Sequence, residues 1–485
     1  MQHHTVDVAV IGAGTAGLAA YRAATAAGKR ALIIEGGPFG TTCARVGCMP
    51  SKLLIAAAEA AHGIDRWPAF GLRLEGELRI DGRAVMARVR RERDRFVGFV
   101  LEGVENIPVA NKLIGYARFV GSHALEVADA GSTARHRIEF GSAVIATGSS
   151  PDVPVPLRAA GDRLVVNDDL FDWQDLPASV AVFGPGVIGL ELGQSLHRLG
   201  VRVEVFGRGG RVGPFADPAL QSYAQRAMAA EFRLHPDAQG VEIACTADGV
   251  MVSHGLEGER RSSCFDRVLA ATGRSPNVRG LGLEHTGIGL DARGIPLFDR
   301  HTLQCGDSHI FIAGDANADL PLLHEAADEG RIAGDNAARW PAVTPGQRRT
   351  PLAVVFSDPQ MAVVGTPYTS LDPARTATGA VSFEDQGRAR VMLRNKGLLH
   401  VYVDAESGLL RGAEMIGPDA EHMAHLLAWV IQLEQTVDNV LALPFYHPVV
   451  EEGLRTALRN AQAERDRRQA APASLGRGRA TARPG

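Results

Sequence analysis

Twice in this chain an apolar run rich in β-branched residues turns through three glycines into a helical pattern. The first spans residues 6–11, then Gly12-Ala-Gly14-Thr-Ala-Gly17 and an alanine-rich stretch, and residues 31–34 resume as a strand ending on Glu35. The second is Ser179-Val-Ala-Val-Phe-Gly184-Pro-Gly186-Val-Ile-Gly189, with a following strand at 201–206. Strand, tight turn, helix and strand in this register make a βαβ unit. Its glycines let the backbone approach a pyrophosphate resting on a helix N-terminus. A lone glycine motif is weak, but the ordered context makes a plain glycine-rich turn the poorer reading. The expected fold is therefore α/β, with two Rossmann-like dinucleotide-binding domains. Two such units suggest an electron path between two nucleotide cofactors, because a chain needing one would not build the site twice.

The units differ where their second strands end. Glu35 stands 18 residues after Gly17, placed to bind a ribose hydroxyl pair. The equivalent position in the second unit is Gly207, followed by Arg208 and Arg211. A carboxylate there would favour NAD, whereas an arginine accommodates a 2′-phosphate. The residues leave NADH and NADPH both open, and surface decoration is the plain alternative for the two arginines.

Two further strands end in Thr-Gly and point at a ligand edge: 142–148, closing on Thr147 and Gly148, and 268–273, closing on Gly273. Prolines 151, 154 and 156 mark a crossover between them. Residues 310–315 form an apolar strand ending in Gly314-Asp315, where an aspartate can hold a cofactor hydroxyl or simply cap a helix. From 348 the pattern changes to strands at 353–356, 360–364, 391–393 and 398–403, then a helix around 420–435, which reads as an α+β domain.

Chemistry concentrates in Gly40-Thr-Thr-Cys-Ala-Arg-Val-Gly-Cys-Met-Pro-Ser-Lys52, where Cys43 and Cys48 precede a helical pattern over 51–61. The pair could close a small disulfide loop, and a thiolate there would gain from the helix N-terminus. Two ordinary buried cysteines is the competing reading. Five cysteines in 485 residues do not make a disulfide scaffold, and the expected compartment is the reducing cytoplasm. Cys245, Cys264 and Cys305 read as small buried residues. A net charge of −4 gives no basic field for nucleic acid, and no apolar run reaches membrane-spanning length. Near the end, Pro444-Phe-Tyr-His447-Pro places a histidine outside a helix, and Glu452 falls just inside one expected over 451–462. Beyond 464 the Arg-, Ala-, Pro- and Gly-rich composition reads as a disordered tail.

In this order the residues resemble the FAD-dependent pyridine nucleotide-disulfide oxidoreductases of the dihydrolipoamide dehydrogenase and glutathione reductase type, from Val6 to about Gln462. The resemblance rests on GAGTAG with Glu35, GTTCARVGCMPSK, IATGS, GPGVIGLE, AATGRSPN, IFIAGDA and FYHPVVEEGL. It implies an FAD domain from 1–150 and 278–347, an NAD(P) domain over 151–277, a dimerisation domain over 348–463 and a tail over 464–485. By resemblance Gly12, Gly14, Gly17, Glu35, Thr42, Thr147, Gly148 and Asp315 serve FAD. Gly184, Gly186, Gly189, Arg208, Arg211 and Gly273 serve NAD or NADP, and Lys52 and Glu191 pair near the flavin. A homodimer would send His447 and Glu452 into the partner's active site.

A histidine oriented by a carboxylate suits the deprotonation of a substrate dithiol near neutral pH. The thiolate would attack Cys43, the outer sulfur, leaving Cys48 as the thiolate facing the flavin. The expected partner is a small dithiol or disulfide or a lipoyl domain, with no nucleic acid and no membrane. Pro50-Ser-Lys52 resembles the lipoamide enzymes, and the absence of a cysteine pair near the end of the sequence argues against mercuric reductase. Ala44-Arg45 and the Gly207-Arg208 ending depart from that branch, so an NADPH-dependent reductase of another low-molecular-weight disulfide is the alternative. A flavin-bound sensor without turnover should have lost one of Cys43, Cys48, His447 and Glu452, and all four are present.

Overall fold

The computed structural model describes residues 1–128, 135–256 and 259–470. The first sheet runs in the order Lys112–Ile114, Ala31–Glu35, Gln2–Ile11, Arg135–Ile145, Ala124–Ala128, Tyr116–Gly121. The strand Ile310–Ile312 returns from far along the chain to pair in parallel with residues 143–145. Val8, Ala9, Val10 and Ile11 are all buried because both faces of this parallel core are covered. Val8, Val10 and Ile33 face the helices Thr15–Ala26 and Leu323–Arg339, while Ala9, Ile11 and Leu32 face a layer containing Phe119, Leu125 and Val127. The two helices touch through glycine, since a Cβ on Gly330 would lie 2.1 Å from the Ala16 carbonyl oxygen.

The second sheet is parallel, in the order Arg233–His235, Arg202–Phe206, Ser179–Phe183, Arg267–Ala270, Leu164–Val166. A three-stranded antiparallel sheet of Gln239–Cys245, Val250–Leu256 and Glu259–Phe265 accompanies it. The strands Ser149–Pro151 and Arg274–Pro276 pair where the chain leaves and re-enters the first unit. The last sheet is antiparallel, in the order Leu352–Val355, Gln360–Gly365, Leu410–Gly417, Leu398–Asp404, Thr376–Ser382, and packs against the helices Ala420–Gln432 and Glu452–Ala470. The fold is thus α/β, with two Rossmann-like units and an α+β C-terminal domain.

Three local expectations fail. Residues 391–393 are not a strand: Gly387–Val391 is a short helix whose N-cap Gln386 accepts from the Ala389 amide, and Leu393 has φ +53°. Of the three scattered cysteines only Cys305 is buried, while Cys264 is half-buried and Cys245 is exposed at the end of a strand in the small antiparallel sheet. Residues 464–470 extend the last helix, where Glu464 pairs with Arg468 at 2.7 Å and Arg465 pairs with Asp438. The remainder of the expected tail, 471–485, lies outside the described residues. No helix among the described residues is long and apolar enough to cross a membrane.

Candidate active site

Cys43 lies in the short helix Thr42–Val46, and Cys48 is the first residue of Cys48–His62, so the helix N-terminus falls on the second sulfur. The loop between them is tight: a Cβ on Gly47 would sit 3.1 Å from the Thr42 carbonyl oxygen and 3.2 Å from the Cys43 Cα. Thr41, just before, holds φ +58°, a conformation that strains a β-branched residue. Its Oγ1 accepts from the Ala44 amide at 3.3 Å. Both cysteines are free thiols, and the titration of each depends on the other as on a hydrogen-bonding neighbour. That bond, with the Lys52 ammonium assisting, pulls Cys48 down to about 7 against the opposing effect of burial. Cys43 keeps the shared proton and is pushed upward by the same bond and by burial.

Lys52 follows one helical turn after Cys48. Its Nζ lies 2.8 Å from Glu191 Oε2 and 4.4 Å from the centre of the Phe356 ring. Glu191, 5% exposed, sits on the helix that opens the second glycine turn, and its Oε1 accepts from the Phe356 amide at 2.9 Å. One carboxylate therefore ties the cysteine helix, the second nucleotide unit and the C-terminal domain together. The core beneath is shared in the same way, through Leu54, Leu190 and Val355.

The first glycine turn is built for close approach. Gly12 has φ +103°, and a Cβ there would lie 2.3 Å from the Ala146 carbonyl oxygen. Gly14 caps the helix Thr15–Ala26 and faces open space. Glu35 staples the turn, accepting at 2.7 Å from the Ala13 amide through Oε2 and at 2.7 Å from the Gly37 amide through Oε1. Thr147 Oγ1 is buried without a hydrogen-bond partner among the described residues, and Gly148 beside it has φ +68°. Asp315 Oδ2 accepts from Ser149 Oγ at 2.7 Å, and Arg274 reaches the same hydroxyl at 2.9 Å. An open helix N-terminus beside an orphaned hydroxyl fits a phosphate-bearing cofactor. Thr42 is exposed at the start of the cysteine helix.

The second turn repeats the backbone but not the strand end. Gly186 caps the helix Val187–Arg198. Gly273, φ +120°, follows the strand Arg267–Ala270. A Cβ on Gly207 would lie 2.6 Å from both Pro185 Cγ and the Pro236 carbonyl oxygen, so no carboxylate can stand there without moving the backbone. Arg208 is exposed and makes no hydrogen bond or ion pair among the described residues. Arg211 turns aside to donate to the Phe215 carbonyl oxygen at 3.2 Å.

His447 Nδ1 lies 3.0 and 3.1 Å from the two Glu452 oxygens. The imidazole holds the Glu452 carboxyl below the usual carboxylate range. The ring is 80% exposed and makes no hydrogen bond to either cysteine within its own chain. The pair is preformed and faces outward.

Family models decide what this assembly is. Residues 6–330 match the pyridine nucleotide-disulphide oxidoreductase model, and residues 352–458 match the dimerisation domain of the same family. The chain belongs to the pyridine nucleotide-disulphide oxidoreductase family. It is 31% identical over 464 residues to a dihydrolipoyl dehydrogenase of Geobacillus stearothermophilus, covering 92% of this chain and 94% of the relative. A mercuric reductase of Shigella flexneri is 32% identical, over 93% of this chain and 80% of its own. Among solved structures, LpdA from Mycobacterium tuberculosis superposes with a TM-score of 0.80 at 26% identity, covering 95% and 99% of the two chains. The protein is accordingly a dihydrolipoyl dehydrogenase-like flavoprotein disulfide oxidoreductase that uses FAD and NAD(P), with a dimerisation domain that supports a homodimer.

Sequence reasoning missed five participants. Phe356 was read only as a strand end, and Thr41 only as part of a motif. Ser149 and Arg274 lay inside quoted motifs, yet their joint hold on Asp315 depends on strands 125 residues apart in sequence. Glu329 is fully buried, accepts from the Gly314 amide and Asn317 at 2.8 Å and pairs with Arg348 at 2.8 Å, thereby fixing the turn that carries Asp315.

Proposed function

We propose that the protein carries electrons between a small dithiol or disulfide, of the lipoamide kind, and NADPH in the cytoplasm. The observation that carries the reading is the cysteine pair itself: two free thiols on adjoining helices, Cys48 pulled down to about 7 by its neighbour, and an ammonium held beside it by a buried carboxylate.

In the dithiol-oxidising direction, His447 of one subunit takes the proton from a substrate thiol bound at the other, and Glu452 holds the imidazole at Nδ1 and balances its charge. The substrate thiolate attacks the Cys43 sulfur, the Cys43–Cys48 bond breaks, and Cys48 leaves as a thiolate. The second substrate thiol then displaces Cys43 and releases the oxidised substrate. Lys52 stabilises the Cys48 thiolate, and Glu191 keeps the ammonium in place. Bound FAD supplies two-electron transfer between that dithiol and the nicotinamide. Gly12, Gly14 and Gly17 seat its pyrophosphate, Glu35 its ribose, and Thr42, Thr147, Gly148 and Asp315 line its path.

The preference for NADPH rests on the second strand end, where Gly207 leaves no room for the acid that would hold a ribose hydroxyl pair and Arg208 stands free for a 2′-phosphate. Gly184, Gly186 and Gly189 seat the pyrophosphate, Gly273 borders it, and Arg211 is the weaker phosphate candidate because it is already engaged. That observation also favours the second reading, an NADPH-dependent reductase of another low-molecular-weight disulfide. Steady-state turnover of the FAD-loaded enzyme with lipoamide and with glutathione disulfide, each with NADH and NADPH, separates the readings. Lipoamide turnover supports the first, glutathione disulfide turnover alone supports the second, and a preference for NADH defeats the assignment of Arg208.

A further inference from the structure

Three side chains that the redox chemistry does not use converge beside the second sheet. Glu204 lies on Arg202–Phe206, His235 closes Arg233–His235, and His254 lies on Val250–Leu256 of the antiparallel sheet. One ligand atom from each lies within 4.8 Å of the others. His235 Nε2 and Glu204 Oε2 are 3.3 Å apart. That is the edge of a tetrahedron whose metal–ligand bonds are about 2.0–2.1 Å long.

The surroundings fit a ligand set better than a simple ion pair. Glu204 and His254 are 2% and 4% exposed. The carboxylate divides its work: Oε1 accepts from Arg233 at 3.2 Å and Ser263 at 3.4 Å, with Arg202 at 3.6 Å, while Oε2 faces the His235 imidazole. His254 Nδ1 faces the Gly255 carbonyl oxygen at 3.4 Å, and a proton placed there leaves Nε2 with its lone pair free. The ring of Phe206 stacks on His235 at 5.0 Å and meets His254 edge-on at 5.2 Å, giving the cluster an apolar wall. Two imidazoles whose centres are 4.4 Å apart beside one carboxylate gain little from each other without a shared cation.

We propose that Glu204, His235 and His254 form a three-ligand site for a borderline divalent transition ion of the zinc class, with an exogenous fourth ligand. Two nitrogen donors exclude the hard, oxygen-seeking ions calcium and magnesium. The carboxylate oxygen not spent on the metal keeps Arg233 and Ser263, which fixes its orientation.

The test uses the FAD-loaded full chain in its oxidised form, so that the Cys43–Cys48 disulfide offers no thiolate. After chelator treatment the protein is titrated with Co2+, and the Zn2+-loaded form is examined by X-ray absorption. The expected result is about one ion per chain, the intense visible absorption of tetrahedral cobalt, displacement by Zn2+, and a first shell of nitrogen and oxygen with imidazole scattering. His235→Ala should weaken binding by at least about a hundredfold, with flavin content and circular dichroism unchanged. No stoichiometric binding, sulfur in the first shell, or unaltered affinity in His235→Ala would overturn the proposal. Should His235→Ala fail to fold, the absorption spectrum of the unsubstituted protein decides alone.

Discussion

The two glycine turns of this chain are nearly superimposable in what they forbid and different in what they offer. A Cβ on Gly12 would lie 2.3 Å from the Ala146 carbonyl oxygen, and one on Gly184 would lie 2.2 Å from that of Ala271. Within each turn the third glycine repeats the match, since a Cβ on Gly17 or Gly189 would meet the first glycine's carbonyl oxygen at 1.8 or 1.9 Å. The second strand then ends on Glu35 in one unit, stapled to two amides, and on the cramped Gly207 with a free Arg208 in the other. On the proposed function the turn is a general pyrophosphate seat, and selectivity lives at one strand end.

The largest effect should come from breaking each turn separately. Gly12→Val should yield protein without flavin. Gly184→Val should keep flavin and its reduction by dithiol while losing NADPH turnover by at least about a hundredfold, some 2.7 kcal/mol or more. Flavin absorbance of the purified proteins together with nucleotide kinetics checks both, and equal flavin loss in the two variants would break the comparison.

Copying the acid of the first unit into the second should fail. Gly207→Asp should lower kcat/KM for NADPH and NADH alike, by roughly ten- to a hundredfold, because overpacking costs about 1–3 kcal/mol. A gain with NADH would show that the strand end has room after all. Arg208→Glu should instead discriminate, costing NADPH about ten- to a hundredfold through the lost charged hydrogen bonds while leaving NADH within about threefold.

The smallest effect concerns the bridge between the units. Cys48 carries its thiolate above about pH 7 and is protonated below it. Lys52→Met removes the neighbouring positive charge, so the midpoint of thiolate absorbance in the reduced enzyme should rise toward the ordinary value of 9.0 by about one pH unit. An unmoved midpoint would leave the hydrogen bond from Cys43 as the sole cause.

Both turns, the cysteine pair and the His447–Glu452 spacing were legible because each is written within a few consecutive residues whose chemistry is local. Residues 391–393 were misread because apolar side chains among Arg388, Arg390 and Arg394 carry no clear period, and the capping by Gln386 decides for helix. Residues 464–470 were misread as tail because composition does not reveal that Arg465 finds Asp438 across the fold. The grip of Phe356 on Glu191, that of Ser149 and Arg274 on Asp315, and the convergence of Glu204, His235 and His254 all depend on strand neighbours distant in sequence. Residue spacing carries no trace of those.

The central claim is that electrons cross between substrate and nucleotide only through Cys48. Steady-state reduction of lipoamide by NADPH, compared between the unsubstituted enzyme and a flavin-loaded Cys48→Ser variant, tests it directly. The account predicts turnover in the former and a loss of about a thousandfold or more in the latter, and full disulfide turnover by Cys48→Ser would contradict it.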